Sequence, residues 1–252
     1  MASQKLFSTF TLIFIALFGF SQENEKPTSQ AIPRFDVHYM YQVPGKDLAE
    51  RFGNSSSIGL SFHYKTKSNL FFEITGGFMF GNKVKEDSIL SALASDDGII
   101  YDVDGRPATI ALFQRGFTVS LGLGYVTPIL AVNPNSGVYV KGGPLFLQHK
   151  IRVEHQNHEI PSLDETYTKG YDRLSNGFGF EEEIGYYYSD PKNLFNFRFG
   201  INFMQAFTKN RRDWNYDERR KDTMNRQDFM TGFKATIAIP LLRQSSENYY
   251  LF

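Results

Sequence analysis

A strict alternation of apolar and polar residues over residues 195–207, FNFRFGINFMQAF, most constrains how this chain can fold. Phenylalanine or isoleucine stands at positions 195, 197, 199, 201, 203 and 207, whereas Arg198 and Asn202 stand between them. Successive side chains of a β-strand point to opposite faces, so this segment predicts a strand with one apolar and one polar face. What remains to be decided is which of the two faces contacts water.

The same alternation recurs along the chain and predicts an all-β protein. The other alternating segments are residues 34–43, 57–65, 70–80, 117–125, 137–151, 177–188 and 229–241. In the fifth segment, Gly142, Gly143 and Pro144 predict a bulge or a kink. In the sixth, Glu182 falls on the apolar face, where it would fit only if a bulge shifted the register.

The connections between the eight predicted strands alternate in length. Those after the second, fourth and sixth strands are short, and those after the first, third, fifth and seventh are longer. Short turns at one end and long loops at the other are typical of outer-membrane barrels. We therefore predict an eight-stranded antiparallel transmembrane β-barrel of the outer-membrane type, with short periplasmic turns, long extracellular loops and periplasmic termini.

The composition of the polar faces favours a membrane barrel over a soluble sandwich or lipocalin-like barrel. These faces carry glycines such as Gly122 and Gly124 and roughly balanced charges, rather than the lysines and glutamates of a solvated surface. Small residues and compensating charges suit the narrow lumen of an eight-stranded barrel, which its own side chains fill. Tyrosines near strand ends would form interfacial girdles: Tyr41, Tyr64, Tyr125, Tyr186 and Tyr188.

The N-terminal residues have the pattern of a secretory signal peptide. Lys5 precedes an apolar run over 6–20, and the small residues Gly19 and Ser21 stand before Gln22. The run is short for a membrane anchor helix, which is the alternative. The predicted organisation is a signal peptide (1–21), a polar leader (22–33), the barrel (34–242) and a periplasmic C-terminal tail (243–252). The chain has no cysteine, which excludes disulfides, thiolate metal sites and thiol nucleophiles.

Charged and histidine side chains on the polar faces predict an ion-pair network inside the barrel. Its expected members are Asp36, His38, His63, Lys65, Glu73, Glu181, Glu183, Arg198 and Lys234. A buried charge left without a partner costs several kcal/mol, so each must be paired. We expect Arg198 to pair with Glu181 or Glu183 of the neighbouring strand. A paired structural plug is favoured over a pore lining, because eight strands leave little free lumen.

Two long connections offer candidate surfaces for binding. The last one holds basic and aromatic residues that would contact phosphates of a surface glycolipid or a protein partner: Arg211, Arg212, Trp214, Arg219 and Arg220. The alternative is a solvated loop whose charges pair with one another. In the second long connection, residues 85–95 predict a short amphipathic helix, and residues 98–113 predict a hairpin turning at Asp104 and Gly105. Such a hairpin is either a docking surface or an extension of the barrel.

The search for catalytic or metal-binding patterns gives only weak candidates. Glu154, His155, His158 and Glu159 lie close in sequence but lack the spacing of a zinc or helix-borne site. Ser162 and Asp164 lie near His158, yet nothing aligns them or supplies an oxyanion hole. We therefore predict no catalytic residues, no metal and no cofactor. The balance of 27 basic and 27 acidic residues also excludes nucleic acid as an expected partner.

Several segments make the sequence similar to small outer-membrane β-barrels of the Bacteroidota type. They are FGFSQ in the leader, DLAERFG after the first strand, HKIRVEH, KGYDRLSNGFGFEEEIGY, FTKNRRDWN and the final AIPLL. The resemblance implies a Gram-negative outer membrane as the location, with outer-membrane lipid and lipopolysaccharide as surroundings. Some barrels of this type accompany outer-membrane protein assembly or type IX secretion complexes. The expected function is a non-enzymatic accessory or scaffolding subunit of such a complex; a small-solute transporter and a lipid-modifying enzyme are the alternatives.

Overall fold

The computed structural model describes residues 31–86, 88–155, 159–190 and 196–240, which form one closed antiparallel barrel. Its strands are β1 (Ile32–Lys46), β2 (Ser55–Lys65), β3 (Leu70–Gly81), β4 (Ile110–Val126), β5 (Gly137–His155), β6 (Ser175–Ser189), β7 (Asn196–Asn210) and β8 (Asn225–Pro240). Each strand pairs with the next, and β1 pairs with β8 to close the sheet. The predicted eight-stranded antiparallel fold is confirmed. The predicted signal peptide (1–21), residues 22–30 of the predicted leader and the predicted C-terminal tail (243–252) lie outside the described residues.

The apolar faces of the strands point outward and the polar faces point inward. In β7, Phe199 is 54% exposed and Phe207 is 65% exposed, whereas Arg198 is 3% exposed. A closed barrel also satisfies its backbone hydrogen bonds internally, as hydrocarbon requires. The apolar side of the alternating pattern therefore covers the outside of the molecule, where it suits lipid. Among the described residues, no helix is long and apolar enough to cross a membrane.

The connections at the two ends of the barrel differ in length largely as predicted. Residues 66–69, 127–136 and 190–195 connect strands at one end, and residues 47–54, 82–109, 156–174 and 211–224 connect them at the other. The exception is the connection 47–54, which is shorter than the connection 127–136. We refer to the two ends as the periplasmic and extracellular ends, following the usual arrangement of such barrels. Two short helices occur at the extracellular end, α1 (Asp47–Arg51) and α2 (Glu165–Thr168).

The second extracellular connection agrees with the prediction in one part and differs in another. The predicted amphipathic helix over residues 85–95 is wrong, because the described residues of this segment form only a single 3-10 turn at Ser91–Leu93. The predicted hairpin is present: Tyr101 bridges Pro107, and Gly105 adopts a φ of 74° at its tip. This positive φ is readily adopted by glycine, which explains the turn at that position.

The fifth segment was predicted to contain a bulge or a kink, and no bulge occurs in β5. Pairing between β4 and β5 stops after Ser120↔Leu145 and resumes at Leu123↔Gly142 in the same register. Pro144 has no amide hydrogen, so a local loss of ladder bonds without a register shift is sufficient. The register of β6 is likewise unshifted, so Glu182 remains on the outer face opposite Phe203.

An apolar plug fills the extracellular half of the lumen, which the sequence pattern did not predict. Its strand residues are Met40, Met79, Leu145, Leu147, Ile151, Met204, Ala206 and Met230, and its loop residues include Leu48, Phe52, Ile89, Leu90, Ile160, Leu163 and Tyr171. Phe52 is fully buried, and its ring packs 5.5 Å from the ring of His149. The extracellular connections thus fold down onto the barrel and contribute to one core.

Candidate functional site in the barrel lumen

A luminal ion network lies on the periplasmic side of the apolar plug. We define it by its charged members Asp36, Glu73, Lys141, Glu181, Glu183, Arg198 and Lys234, each at most 3% exposed. They come from six strands, and each side chain stands at an inward-facing position near the middle of the barrel. Alternation along each strand therefore places side chains that are distant in sequence into one cluster.

Glu73 lies at the centre of the luminal ion network. Its carboxylate is 2.5 Å from the Arg198 guanidinium, 2.9 Å from Nζ of Lys141 and 3.8 Å from Nζ of Lys234. The hydroxyl of Thr75 donates a further hydrogen bond to it at 2.9 Å. Three cations around one buried carboxylate supply the electrostatic compensation that removal from water demands.

Glu183 and Glu181 form the second part of the network, on β6. Nζ of Lys141 lies 2.9 Å from Glu183 and Nζ of Lys234 lies 3.0 Å from it. The Tyr139 hydroxyl also donates to Glu183. Glu181 accepts from Lys141 at 3.4 Å and from the side-chain amide of Asn202 at 2.6 Å. Lys141 therefore links these two glutamates to Glu73.

The expected partners of Arg198 were wrong. Its guanidinium contacts Asp36 at 2.6 Å and Glu73 at 2.5 Å, across the lumen, and no ion pair joins it to Glu181 or Glu183. The register explains the difference, because Arg198 lies opposite Tyr187 in the β6–β7 ladder and Glu183 lies opposite Asn202. A long side chain in a narrow lumen reaches the far wall more readily than its offset neighbour.

The remaining predicted members lie inside the barrel but outside these ion pairs. Nδ1 of His63 is 3.3 Å from Glu73, and the imidazole stacks on Phe71. His38 is buried without an ion pair among the described residues. Nζ of Lys65 donates to the side-chain oxygen of Asn135 at 3.1 Å, near the periplasmic end.

Asp36, His63 and Glu73 also present ligand atoms within 4.8 Å of one another, as a metal site would. The Arg198 guanidinium, however, already contacts both of the carboxylates. A bound divalent cation would have to displace this charge and lie beside Lys141 as well. The geometry is that of a salt-bridge network, and we assign no metal to it.

Sequence reasoning missed several inward-facing residues. Arg34, Tyr139 and Tyr187 are each at most 1% exposed and lie beside the network. Arg34 precedes Asp36 by one strand period, so the parity that identified Asp36 also identifies Arg34. On β5 and β6, parity selects Tyr139 from Lys141 and Tyr187 from Glu183 in the same way. The two tyrosines were overlooked because tyrosines near strand ends were expected to face lipid.

The basic residues of the last extracellular connection are mostly engaged within the protein. Arg212 forms a two-pronged contact with Asp172, and this hydrogen bonding raises the pKa of Arg212. Arg211 donates to the Asn176 side chain at 2.6 Å, and Arg220 pairs with Glu218 at 3.0 Å. Arg219 is exposed, and Trp214 is 49% exposed.

Ion pairs also connect all four extracellular connections to one another. Arg51 of α1 bonds Glu86 at 2.8 Å, and Arg173 bonds the same carboxylate at 3.0 Å. Arg173 additionally contacts Asp217 at 2.5 Å. These contacts hold the extracellular connections together above the apolar plug.

The weak catalytic candidates do not assemble into a site among the described residues. Glu154 pairs with Arg152 at 2.9 Å, and His155 belongs to β5, where it pairs with Ile110. Asp164 is the N-cap of α2 and accepts from the backbone amides of Thr166 and Tyr167. His158 lies outside the described residues.

Closed strand pairing, an apolar outer surface and a charged, filled interior together define the class of the protein. It is an integral outer-membrane β-barrel of a Gram-negative bacterium.

Comparisons with known proteins leave the particular family open. No family model and no curated protein matches the chain. Among solved structures it is similar to Ail, the attachment invasion locus protein of Yersinia pestis, crystallised with the heparin analogue sucrose octasulfate (9% identity, TM-score 0.41, 83% of this chain and 99% of Ail). It is also similar to the N-terminal β-barrel domain of Pseudomonas aeruginosa OprF (10% identity, TM-score 0.39, 83% of this chain and 100% of that domain). Likenesses this distant carry no conclusion about function.

Proposed function

We propose that this barrel is a non-enzymatic scaffolding subunit of an outer-membrane protein assembly or secretion complex. The observation that carries the proposal is the filled lumen, in which the luminal ion network and the apolar plug occupy successive layers. A barrel with such an interior acts through its surfaces. The resemblance to Bacteroidota-type barrels, some of which accompany assembly and type IX secretion complexes, supports the same function.

The extracellular hairpin over residues 98–113 is the best-formed docking surface for such a partner. Ile99, Tyr101 and Val103 are 38%, 37% and 54% exposed on it. The hairpin is held in place, because the amide of Val103 donates to the carbonyl of Glu159 at 3.0 Å. A preorganised apolar patch with an aromatic residue is typical of the anchors that dominate protein interfaces.

Replacing Ile99, Tyr101 and Val103 together by serine is expected to reduce co-purification of the partner complex by about tenfold or more, because interface anchors carry most of the binding energy. The measurement is affinity purification from native membranes in mild detergent, followed by identification of the bound proteins. The matched control replaces Ile129, Leu130 and Val132, three exposed apolar residues at the periplasmic end, by serine.

Recovery of assembly or secretion components with the wild-type protein, and their loss with the hairpin variant alone, would support the proposal. If the control variant lost these components instead, the docking surface would lie at the periplasmic end. A wild-type barrel that purifies without any such component would overturn the scaffolding function. Steady conductance in planar bilayers would favour the transporter alternative.

The rim of the barrel offers a contact for lipopolysaccharide. Arg115 and Lys150 lie directly opposite each other on the outer face of β4 and β5. Like charges at opposed positions destabilise a sheet unless an anion lies between them. Within the described part of the chain, Arg115 donates only to backbone carbonyls, and Nζ of Lys150 is 4.0 Å from Asp172, which Arg212 already engages. This pair is better placed for glycolipid phosphates than the internally bonded residues Arg211, Arg212 and Arg220.

Substituting both Arg115 and Lys150 by alanine is expected to weaken binding of purified lipopolysaccharide by about tenfold, the loss of one or two charge-assisted hydrogen bonds. Binding is measured by the change in electrophoretic mobility of the folded barrel in detergent. Lys67→Ala, at an exposed periplasmic turn, is the control and should bind normally. If the double variant bound lipopolysaccharide as tightly as the wild type, Arg115 and Lys150 would not form the binding site.

A further inference from the structure

The periplasmic turn between β4 and β5 exposes three apolar side chains close to one another. Ile129, Leu130 and Val132 are 52%, 75% and 69% exposed, and residues 127–136 include no charged residue. The turn after β2, at the same end of the barrel, contains the exposed Lys67 instead. Exposed apolar side chains that cluster in this way mark a contact with a protein or with a membrane.

Hydrogen bonds determine which half of the turn lies over the lumen. The side chains of Asn133 and Ser136 donate to the carbonyl oxygen of Ser189 at 2.8 and 3.3 Å. The side-chain oxygen of Asn135 accepts from Lys65, inside the barrel, at 3.1 Å. The polar second half of the turn therefore covers the periplasmic mouth of the lumen.

The apolar first half of the turn lies on the outer side of the barrel wall. The hydroxyl of Tyr186 donates to the carbonyl oxygen of Leu130 at 3.0 Å. Tyr186 faces outward on β6, where its ring lies 5.9 Å from the ring of Phe199, which is 54% exposed on the outer surface. The amide of Val138 also donates to the carbonyl of Ile129 at 3.1 Å. These bonds hold the tip beside the periplasmic edge of the apolar outer surface.

Continuity with the outer surface favours lipid over a protein as the material that covers the tip. Aromatic residues of outer-membrane barrels stand where hydrocarbon meets the headgroups, and Tyr186 occupies such a position near the periplasmic end of β6. Apolar side chains next to this boundary can enter the acyl region, and an uncharged turn has no ionic group that opposes entry. A protein bound to the tip would have to displace the lipid that adjoins Tyr186.

We propose that the turn over residues 127–136 is an interfacial anchor whose tip, formed by Ile129, Leu130 and Val132, inserts into the periplasmic leaflet of the outer membrane. The tip binds at the boundary between phospholipid headgroups and acyl chains. Insertion at one side of the wall would resist movement of β4 and β5 along the membrane normal. The anchor goes beyond the scaffolding function and does not depend on it.

The first test uses the full wild-type chain in phospholipid nanodiscs, with its isoleucine, leucine and valine methyl groups labelled for NMR. A nitroxide on the upper acyl chain should weaken the methyl signals of Ile129, Leu130 and Val132 by about twofold or more, because an interfacial segment lies about 5–10 Å into this boundary. Val103 of the extracellular hairpin, which is 54% exposed, is the matched control. Its signal should respond to a water-soluble gadolinium chelate and not to the lipid label.

The second test places a fluorescent reporter at the tip. Trp214 is the only tryptophan of the chain, so Leu130→Trp in a Trp214→Phe background has a single reporter. In liposomes, brominated acyl chains should quench this reporter by about twofold, as expected for a side chain in the upper acyl region. Lys67→Trp in the same background is the control at the charged turn and should be quenched by aqueous acrylamide instead.

Lipid quenching of the tip reporter, together with weakening of the wild-type tip signals by the nitroxide, would support the anchor. A tip that responds only to the chelate and to acrylamide faces water, which would overturn the proposal. A tip shielded from both the lipid and the aqueous agents is covered by protein, such as a second copy of the chain, and this outcome would also contradict insertion into lipid.

Discussion

Arg198→Leu is expected to lower the free energy of unfolding of the barrel by about 3–5 kcal/mol. The guanidinium contacts both Asp36 and Glu73, and all three side chains are buried. Leucine would fill part of the volume but leave Asp36 without any described cation partner and Glu73 with two of its three. Breaking a buried pair from one side is costly because the remaining charge is still out of water.

The measurement is denaturant unfolding in detergent, with heat-modifiable electrophoretic mobility as a second indicator of folding. Phe199→Leu is the matched control, since Phe199 is the next residue, lies on the lipid-facing side and is 54% exposed. It should change stability by about 0.5 kcal/mol or less. If the two variants were equally stable, the luminal ion network would not stabilise the fold. Arg198→Lys should fall between them, because lysine keeps the charge but loses the planar fork.

Phe52→Ala should destabilise the barrel by about 3–5 kcal/mol, the usual cost of emptying a buried phenylalanine site. Phe52 is fully buried in the apolar plug, where its ring contacts the imidazole of His149 and the guanidinium of Arg51. Because it belongs to the first extracellular connection, its loss should also loosen the layer of ion pairs above it. We expect faster cleavage of the extracellular connections by added protease.

Trp214→Ala is the control for this second prediction. Trp214 is also an aromatic residue of an extracellular connection, but it is 49% exposed. Its replacement should leave unfolding and protease resistance near the wild-type values. Similar losses for the two variants would mean that the plug contributes little and that any aromatic truncation in these connections is harmful.

The architecture could be predicted because alternation reports the strand face directly. The pattern that placed Phe199 outside and Arg198 inside needed no knowledge of neighbouring strands. Loop lengths then gave the orientation of the strands. The same local pattern could not assign ion-pair partners, because Arg198 contacts Asp36 across the lumen rather than Glu183 of the adjacent strand.

The apolar plug was hidden for a related reason. Met40, Met79, Met204 and Met230 stand at polar-face positions, where an apolar residue reads as an irregularity in the alternation. Only the closed barrel shows that four such exceptions lie together and meet Phe52 from the first extracellular connection. Arg34 was missed although its parity was plain, because no obvious partner drew attention to it.

The contact between Arg198 and Asp36 joins residues that are 162 positions apart in the chain. A nascent chain entering the bilayer therefore carries Asp36 without its counter-ion until the seventh strand has arrived, which favours nearly simultaneous insertion and closure. In the finished barrel, β1 and β8 form the seam, with Asp36 and Lys234 directly behind it. Parting the seam would bring ionic side chains to the edge of the acyl chains, so lateral release of a molecule from the lumen into the bilayer is strongly disfavoured.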